Sequence, residues 1–273
     1  MRVIDFHTHP YMPHALAPGT RAFVHGVSAA VRAHGDRLGD ARYFADQLRA
    51  QGVEHAVVLP EHCPATSGNV RTDDVLAWCT HAPDVLLPFA SVDPNSDAEP
   101  AELLESYIRR GARGLKLYPS YQFFYPNERR VYPLYEVCQA AGIPLLLHIG
   151  SSVIAGTRLK YCDPIHLDDV AVDFPGLPIV MAHGGRGFWY ERCAFLAAHF
   201  QNVYIDVTGL VPERLLEHFP QLERSAHKYV FGTDWPAMPK SVAHNVRAIQ
   251  ALGLSESALQ QIFYDNAAKL LHL

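Results

Sequence analysis

The sequence of 273 residues contains no run of 18 apolar residues, so no segment reads as a membrane-spanning helix. It has no Cys-x-x-Cys pair. Its five cysteines (Cys63, Cys79, Cys138, Cys162 and Cys193) are odd in number and far apart, which excludes a disulfide framework and a cysteine zinc site and leaves buried thiols in a reducing compartment. Basic residues are too few and too dispersed for a nucleic-acid footprint: 23 Lys and Arg stand against 28 Asp and Glu, a formal charge of −5. No Gly-x-Gly-x-x-Gly follows the first apolar run and no His-Glu-x-x-His occurs, while Gly150-Ser151-Ser152 lacks the spacing of a nucleophile elbow. Repeats, low-complexity tracts and linkers are also missing, so residues 1–273 are expected to form one domain. The first strand is expected from residue 2, without room for a basic and then apolar leader, which makes a cytoplasmic protein the expectation.

What is present is a regular alternation. Short apolar runs occur at Val3–Phe6, His55–Leu59, Leu86–Val92, Arg113–Leu117, Ile143–His148, Pro178–Ala182, Asn202–Val207 and Tyr229–Gly232, each bounded by Gly, Pro, Asp or Asn. Between them lie stretches of helical period, among them Ala41–Ala50, Asp74–His81, Glu99–Arg110, Val131–Ala141 and Tyr190–Phe200, and Ser255–Leu271 reads as a closing helix capped by Ser255. Strands that are apolar throughout are buried on both faces, and alternation with helices implies a parallel sheet. Eight such units in this length predict an α/β fold, a single-domain (β/α)8 TIM barrel, with an open doubly wound sheet as the alternative.

The chain carries 16 histidines, and their positions matter more than their number. Chemistry in such a barrel sits at the C-terminal ends of the strands. His7 and His9 close the first strand, His148 the fifth and His183 the sixth, and Asp234 follows the eighth. Residues two apart share a strand face, so His7 and His9 are expected to point together into the barrel. Imidazoles and a carboxylate converging from strands 1, 5, 6 and 8 make a nitrogen and oxygen metal site, suited to Zn²⁺, Mn²⁺, Fe²⁺ or Co²⁺. The other twelve (His14, His25, His34, His55, His62, His81, His166, His199, His218, His227, His244 and His272) read mostly as solvated helix and loop residues. His62, after the second strand, is the one kept as a site candidate, and His55 at the opposite end is expected to be structural.

These residues, with Gly-Leu-Lys-Leu-Tyr-Pro at 114–119, Ala-His-Gly-Gly-Arg-Gly at 182–187 and Gly-Thr-Asp-Trp-Pro at 232–236, resemble the amidohydrolase superfamily over essentially the whole chain. More narrowly the chain is similar to the amidohydrolase-related branch that includes aminocarboxymuconate semialdehyde decarboxylase. The resemblance implies that His7, His9, His148 and Asp234 hold one divalent metal, Zn²⁺ first and Mn²⁺ next. It makes Asp234 and His183 catalytic, with His183 beside the activated water, and it suggests a homodimer. Two ions would be held if Lys116 were carboxylated, since other members bridge their metals in that way. Lys116 is expected to face the barrel interior, where it touches a substrate carboxylate, forms that bridge, or turns outward as a structural residue. Tyr118, Arg186 and Trp235, carried by the same motifs, are assigned with Lys116 to substrate binding.

Three segments would choose the substrate. Five aromatics crowd the loop from Tyr118 to Pro126, the stretch from Pro10 to Gly39 is long enough to cover the mouth, and Gly184–Gly187 is expected to open a helix whose N–H groups and Arg186 could hold a carboxylate. Arg158 and Lys160 add positive charge nearby. The leading expectation is a metal-dependent hydrolase of a C–N, lactone or ester bond in a small, anionic molecule, acting through activated water. The alternative is a non-oxidative decarboxylase or related lyase of a small aromatic or unsaturated carboxylate.

Overall fold

Eight parallel strands follow one another around a barrel in a computed structural model that describes residues 1–273. They are β1 (Ile4–Thr8), β2 (His55–Val58), β3 (Leu86–Pro88), β4 (Leu115–Leu117), β5 (Leu145–Gly150), β6 (Ile179–Arg186), β7 (Val203–Asp206) and β8 (Tyr229–Val230). The order β1-β2-β3 forms one sheet and β8-β7-β6-β5-β4 the other. Two seams close the ring. At the first, Lys116 N donates to Ala90 O at 2.8 Å, beside a parallel bridge from Ala90 to Leu115. At the second, Phe6 N donates to Phe231 O at 2.8 Å and Thr8 bridges to Trp235.

The period-2 alternation of the strands sorts their apolar residues into two cores. Leu145, Leu147, Ile179, Met181, Val203 and Ile205 face the surrounding helices. Leu146, Val180, Ala182 and Tyr204 face inward with Ile4, Phe6, Val57 and Phe89, where Ala267, Leu270 and Leu271 of the final helix join them. Fully burying one such side chain contributes about 1.5–3 kcal/mol, so both cores favour closure strongly. The final helix runs from Glu256 to Leu271 with a π turn at Gln261–Asp265, and the Ser255 hydroxyl accepts Ala258 N as the expected cap.

Several boundaries differ from expectation. The stretch after β1 is mostly helical, with helices at Pro18–Val27 and Ala29–His34 and 3-10 turns at Pro13–Ala15 and Gly35–Gly39. Pro18 occupies the first helical turn, where its missing N–H costs nothing and its fixed φ suits the helix. The residues 184–187 do not open a helix: β6 continues to Arg186 and the helix begins at Tyr190. The expected helix at Asp74–His81 spans Thr72–Cys79.

An antiparallel hairpin, Glu61–Cys63 with Gly68–Val70, rises from the end of β2 and meets the helical cover, where Ala17 N donates to Ser67 O at 2.9 Å. The cover is tied down again at Ser28, whose hydroxyl accepts Val31 N at 2.9 Å and donates to Pro236 O at 2.5 Å. All five cysteines are buried and free, and no helix is long and apolar enough to cross a membrane.

Candidate metal centre

His7 enters the site through an irregularity in β1. Ile4 and Phe6 face the barrel interior, so strict alternation would turn His7 outward, but the pairing register shifts between Asp5 and Thr8. Asp5 holds this bulge: its Oδ1 accepts His7 N at 3.2 Å and Thr233 N at 3.1 Å, and its Oδ2 accepts the Thr233 hydroxyl at 2.5 Å. Burial pushes the Asp5 carboxyl up to about 7, although those donors favour its ionised form.

Three of the four expected metal ligands converge. His7, His9 and Asp234 can each offer one donor atom, all within 4.8 Å of one another. Asp234 Oδ1 lies 3.0 Å from His7 Nε2 and 3.4 Å from His9 Nε2. On its other side His7 donates from Nδ1 to Asp206 Oδ2 at 2.6 Å, so Nε2 is the nitrogen left to meet Asp234; burial disfavours a charged ring, yet the carboxylates of Asp234 and Asp206 raise its pKa above the ordinary value. That Nε2 is buried and has no hydrogen-bond partner. A ring nitrogen and a carboxylate oxygen 3.0 Å apart need a positive charge between them, a proton on the ring or a metal ion in its place. The donor set therefore fits a divalent cation, and its nitrogen and oxygen atoms suit zinc or manganese.

His148 stands outside this trio, paired with His183. His183 Nδ1 lies 3.0 Å from Thr208 O, which can only accept, so this nitrogen carries the proton and Nε2 carries the lone pair. Nε2 lies 3.1 Å from His148 Nδ1, which must then donate, and the buried Nε2 of His148 is left unprotonated and unpartnered. Burial, with nearby cationic side chains, holds both rings well below the usual imidazole range and keeps them neutral. His148 thus presents a second free lone pair to the cavity.

Two of these side chains are aimed by strained backbone. His183 has φ 67° and Asp234 φ 60°, left-handed values that cost a non-glycine residue on the order of 1–3 kcal/mol and gather at functional sites. Gly232 is required for a different reason. A Cβ there would collide with the Thr208 hydroxyl, Asp206 Oδ1 and Cβ of His7, so the network closes only around a glycine.

Lys116 does face the barrel interior, yet it does not reach the cavity wall. Its ammonium is fully buried without a hydrogen-bond partner, 4.7 Å from the Tyr118 ring. Burial lowers its pKa to about 8, against the pull of Asp234, Asp206 and Glu61. Tyr118 lines the cavity, and its hydroxyl donates to Pro60 O at 2.6 Å. Arg186 lines it too, but its guanidinium donates to Ser151 O at 2.6 Å and to Gly209 O at 3.3 Å, so it is held by backbone carbonyls.

Trp235 corrects the sequence assignment. It is 2% exposed and packs 4.4 Å from Phe44, in the helix-facing core and away from the cavity. Arg158 lies over Phe123 and Lys160 over Tyr161, so neither charge meets the cavity, and His62 bonds Asn69 and Asp97 on the outer side of the hairpin.

Asp206 and Glu61 join the site without a sequence expectation, and Tyr121 joins it from the aromatic loop expected to choose the substrate. Asp206 closes β7 in the inward register of Tyr204, so the strand-end rule that selected His148 also selects it. Tyr121 meets His148 edge to face with ring centroids 4.8 Å apart, and Glu61 on the hairpin brings Oε2 to 4.0 Å from His9 Nδ1. The cavity itself measures about 100 Å³, with the histidines at one end and residues of the helical cover at the other.

The amidohydrolase family model matches residues 4–273. No curated protein matches the chain in sequence. Among solved structures, an uncharacterized TIM-barrel protein from Bordetella bronchiseptica is 24% identical with a TM-score of 0.84, over 100% of this chain and 99% of that one. A probable 2-pyrone-4,6-dicarboxylic acid hydrolase from Acinetobacter baumannii is 16% identical with a TM-score of 0.69, covering all of both chains. A 5-carboxyvanillate decarboxylase from Novosphingobium aromaticivorans, solved with manganese, is also 16% identical at 0.69, over 100% of this chain and 97% of that one. At these identities the likeness is one of fold.

Proposed function

We propose, from the premise that this chain belongs to the amidohydrolase family, that it is a metal-dependent hydrolase of a C–N, lactone or ester bond in a small carbonyl compound. The observation that carries this reading is the unpartnered Nε2 of His7 opposite Asp234 Oδ1 at 3.0 Å, at the closed end of a cavity. His7, His9 and Asp234 would hold the ion, with His148 Nε2 as the further donor. When bound, such an ion polarises a carbonyl and lowers the pKa of water towards about 7.

The protein's own groups divide the remaining work. Asp234 has a second oxygen, Oδ2, that faces His183 across 3.9 Å without a hydrogen bond. This oxygen takes the proton released as water adds to the carbonyl carbon and returns it to the leaving group. His183 keeps His148 in its ligating tautomer, since both of its ring nitrogens are engaged. Tyr118 and Tyr121 form the wall that excludes bulk water beside the reacting group.

The same residues would serve a lyase, in which a substrate carboxylate leaves as CO₂ and a proton is delivered to the carbon it left. The decarboxylase among the fold relatives and the mainly apolar cover end of the cavity favour keeping this second reading. A panel of lactones, amides and aromatic carboxylates assayed in ¹⁸O water with CO₂ detection separates the two. One ¹⁸O incorporated per turnover is the expected result, and CO₂ release without incorporation would overturn hydrolysis. Metal content is checked first: protein purified without chelator should carry a transition metal, and stripped protein should gain thermal stability when Zn²⁺ or Mn²⁺ is restored.

A further inference from the structure

The cavity wall changes character along its length. Beyond the histidines it is built by Leu16, Phe23 and Val24 of the helical cover, Val70 of the hairpin, and Met238. Within this apolar wall Thr20 is 5% exposed, and its hydroxyl has no partner anywhere in the protein. A hydroxyl sealed from water and left unpaired destabilises the fold that carries it, and a valine of the same shape would avoid the penalty. A group retained at that cost in a binding cavity is explained by a ligand that pairs with it.

Charge limits the other end. Arg186 is the only lysine or arginine in the wall, and three of its five N–H donors are engaged by Ser151 O and Gly209 O. Glu61 adds a carboxylate to the same wall near His9. A ligand carrying one anionic head can place it at the metal, but a second anionic group would meet either the apolar wall or the Glu61 carboxylate, with only the two remaining N–H groups of Arg186 to receive it. The volume of about 100 Å³ is on the scale of a cavity that accepts one benzene ring, roughly 150 Å³.

We propose that the substrate is single-headed: one carbonyl or carboxyl group at the metal, an apolar body the size of one ring, and one neutral hydrogen-bonding substituent met by Thr20. Thr20 is then the residue that selects for that substituent. This rests on the metal-centre reading above, which fixes where the reacting head sits.

Binding without turnover tests it. Metal-loaded protein is titrated calorimetrically with benzoate, 3-hydroxybenzoate, 4-hydroxybenzoate and isophthalate. One hydroxybenzoate should bind about tenfold more tightly than benzoate, the effect of one added buried hydrogen bond. Thr20→Ser should keep that preference, and Thr20→Val should abolish it, both hydroxybenzoates then binding no more tightly than benzoate to that same variant, and should raise the melting temperature. Isophthalate should bind at least about tenfold more weakly than benzoate, with part of the loss recovered in Glu61→Gln. The inference is overturned if Thr20→Val keeps the hydroxybenzoate preference, if isophthalate matches benzoate, or if protein shown to hold its metal binds none of the four acids. In those cases the metal-centre reading still stands, whereas failure to take up any metal overturns both.

Discussion

Asp206 holds His7 by a 2.6 Å contact between Oδ2 and Nδ1, with both side chains sealed from solvent. The other oxygen of Asp206 accepts Thr208 N at 2.9 Å and the Thr208 hydroxyl at 2.5 Å, so the carboxylate cannot rotate away. A fixed acceptor at Nδ1 keeps the lone pair of His7 at Nε2, facing Asp234. Replacing Asp206 by Asn removes the charge and puts an amide donor among these donors. We expect Asp206→Asn to weaken Zn²⁺ binding by about 10- to 100-fold, measured by competition with a chelating dye. Unchanged affinity in a folded variant would show that His7 needs no carboxylate behind it.

Lys116 gives a pH dependence with a definite sign. Its folded pKa of about 8 lies below the ordinary 10.5, so below pH 8 the folded state carries a charge that burial disfavours. This penalty is full below pH 8, fades between about 8 and 10.5, and is gone above that window. Lys116→Met should therefore be more stable than the wild type at pH 7 in urea unfolding, and its advantage should shrink as the pH is raised through the window. A constant difference across that range would mean that the carboxylates of Asp234, Asp206 and Glu61 already offset the cost of burying the ammonium.

Trp235 should behave as a core residue. Its indole packs on Phe44, which in turn packs 5.0 Å from Trp78. Trp235→Ala should cost about 3–5 kcal/mol in denaturant unfolding, the usual range for emptying a large buried site. If stability were nearly unchanged and only affinity for small carboxylates fell, the side chain would belong to the substrate wall after all.

Ser28 both caps the helix Ala29–His34 and ties the cover to Pro236. Ser28→Ala loses both, and the cap alone is worth about 1 kcal/mol. Hydrogen exchange should become faster in the amides of residues 18–34 and stay unchanged in the barrel strands. Uniform protection across the variant would show that the cover is held by its apolar contacts alone.

Much of this was legible in the chain because strand ends are legible. The apolar runs stop at His148 and His183, and a barrel sends every such residue to one rim, so the site could be assembled without knowing any side-chain direction. Asp206 sits in an equivalent place, but the Thr208-Gly209 that follows one residue later is also a turn signal, and that reading competes with the site reading. The helical form of the cover was hidden for a similar reason. Pro18-Gly19 and Gly26 read as breaks, although proline at a helix start and glycine on an exposed face are both tolerated. Trp235 and Arg186 turn on the last step, direction. Sequence adjacency to Asp234 cannot reveal that a left-handed residue turns the next side chain towards Phe44, and no periodicity tells a guanidinium to choose two backbone carbonyls over a ligand.

The seam between β1 and β8 also has a temporal meaning. His7 and His9 leave the ribosome first, Asp234 more than two hundred residues later, and no pair of neighbouring ligands exists across that seam until the ring has shut. The trio of His7, His9 and Asp234 therefore comes together only in the finished barrel.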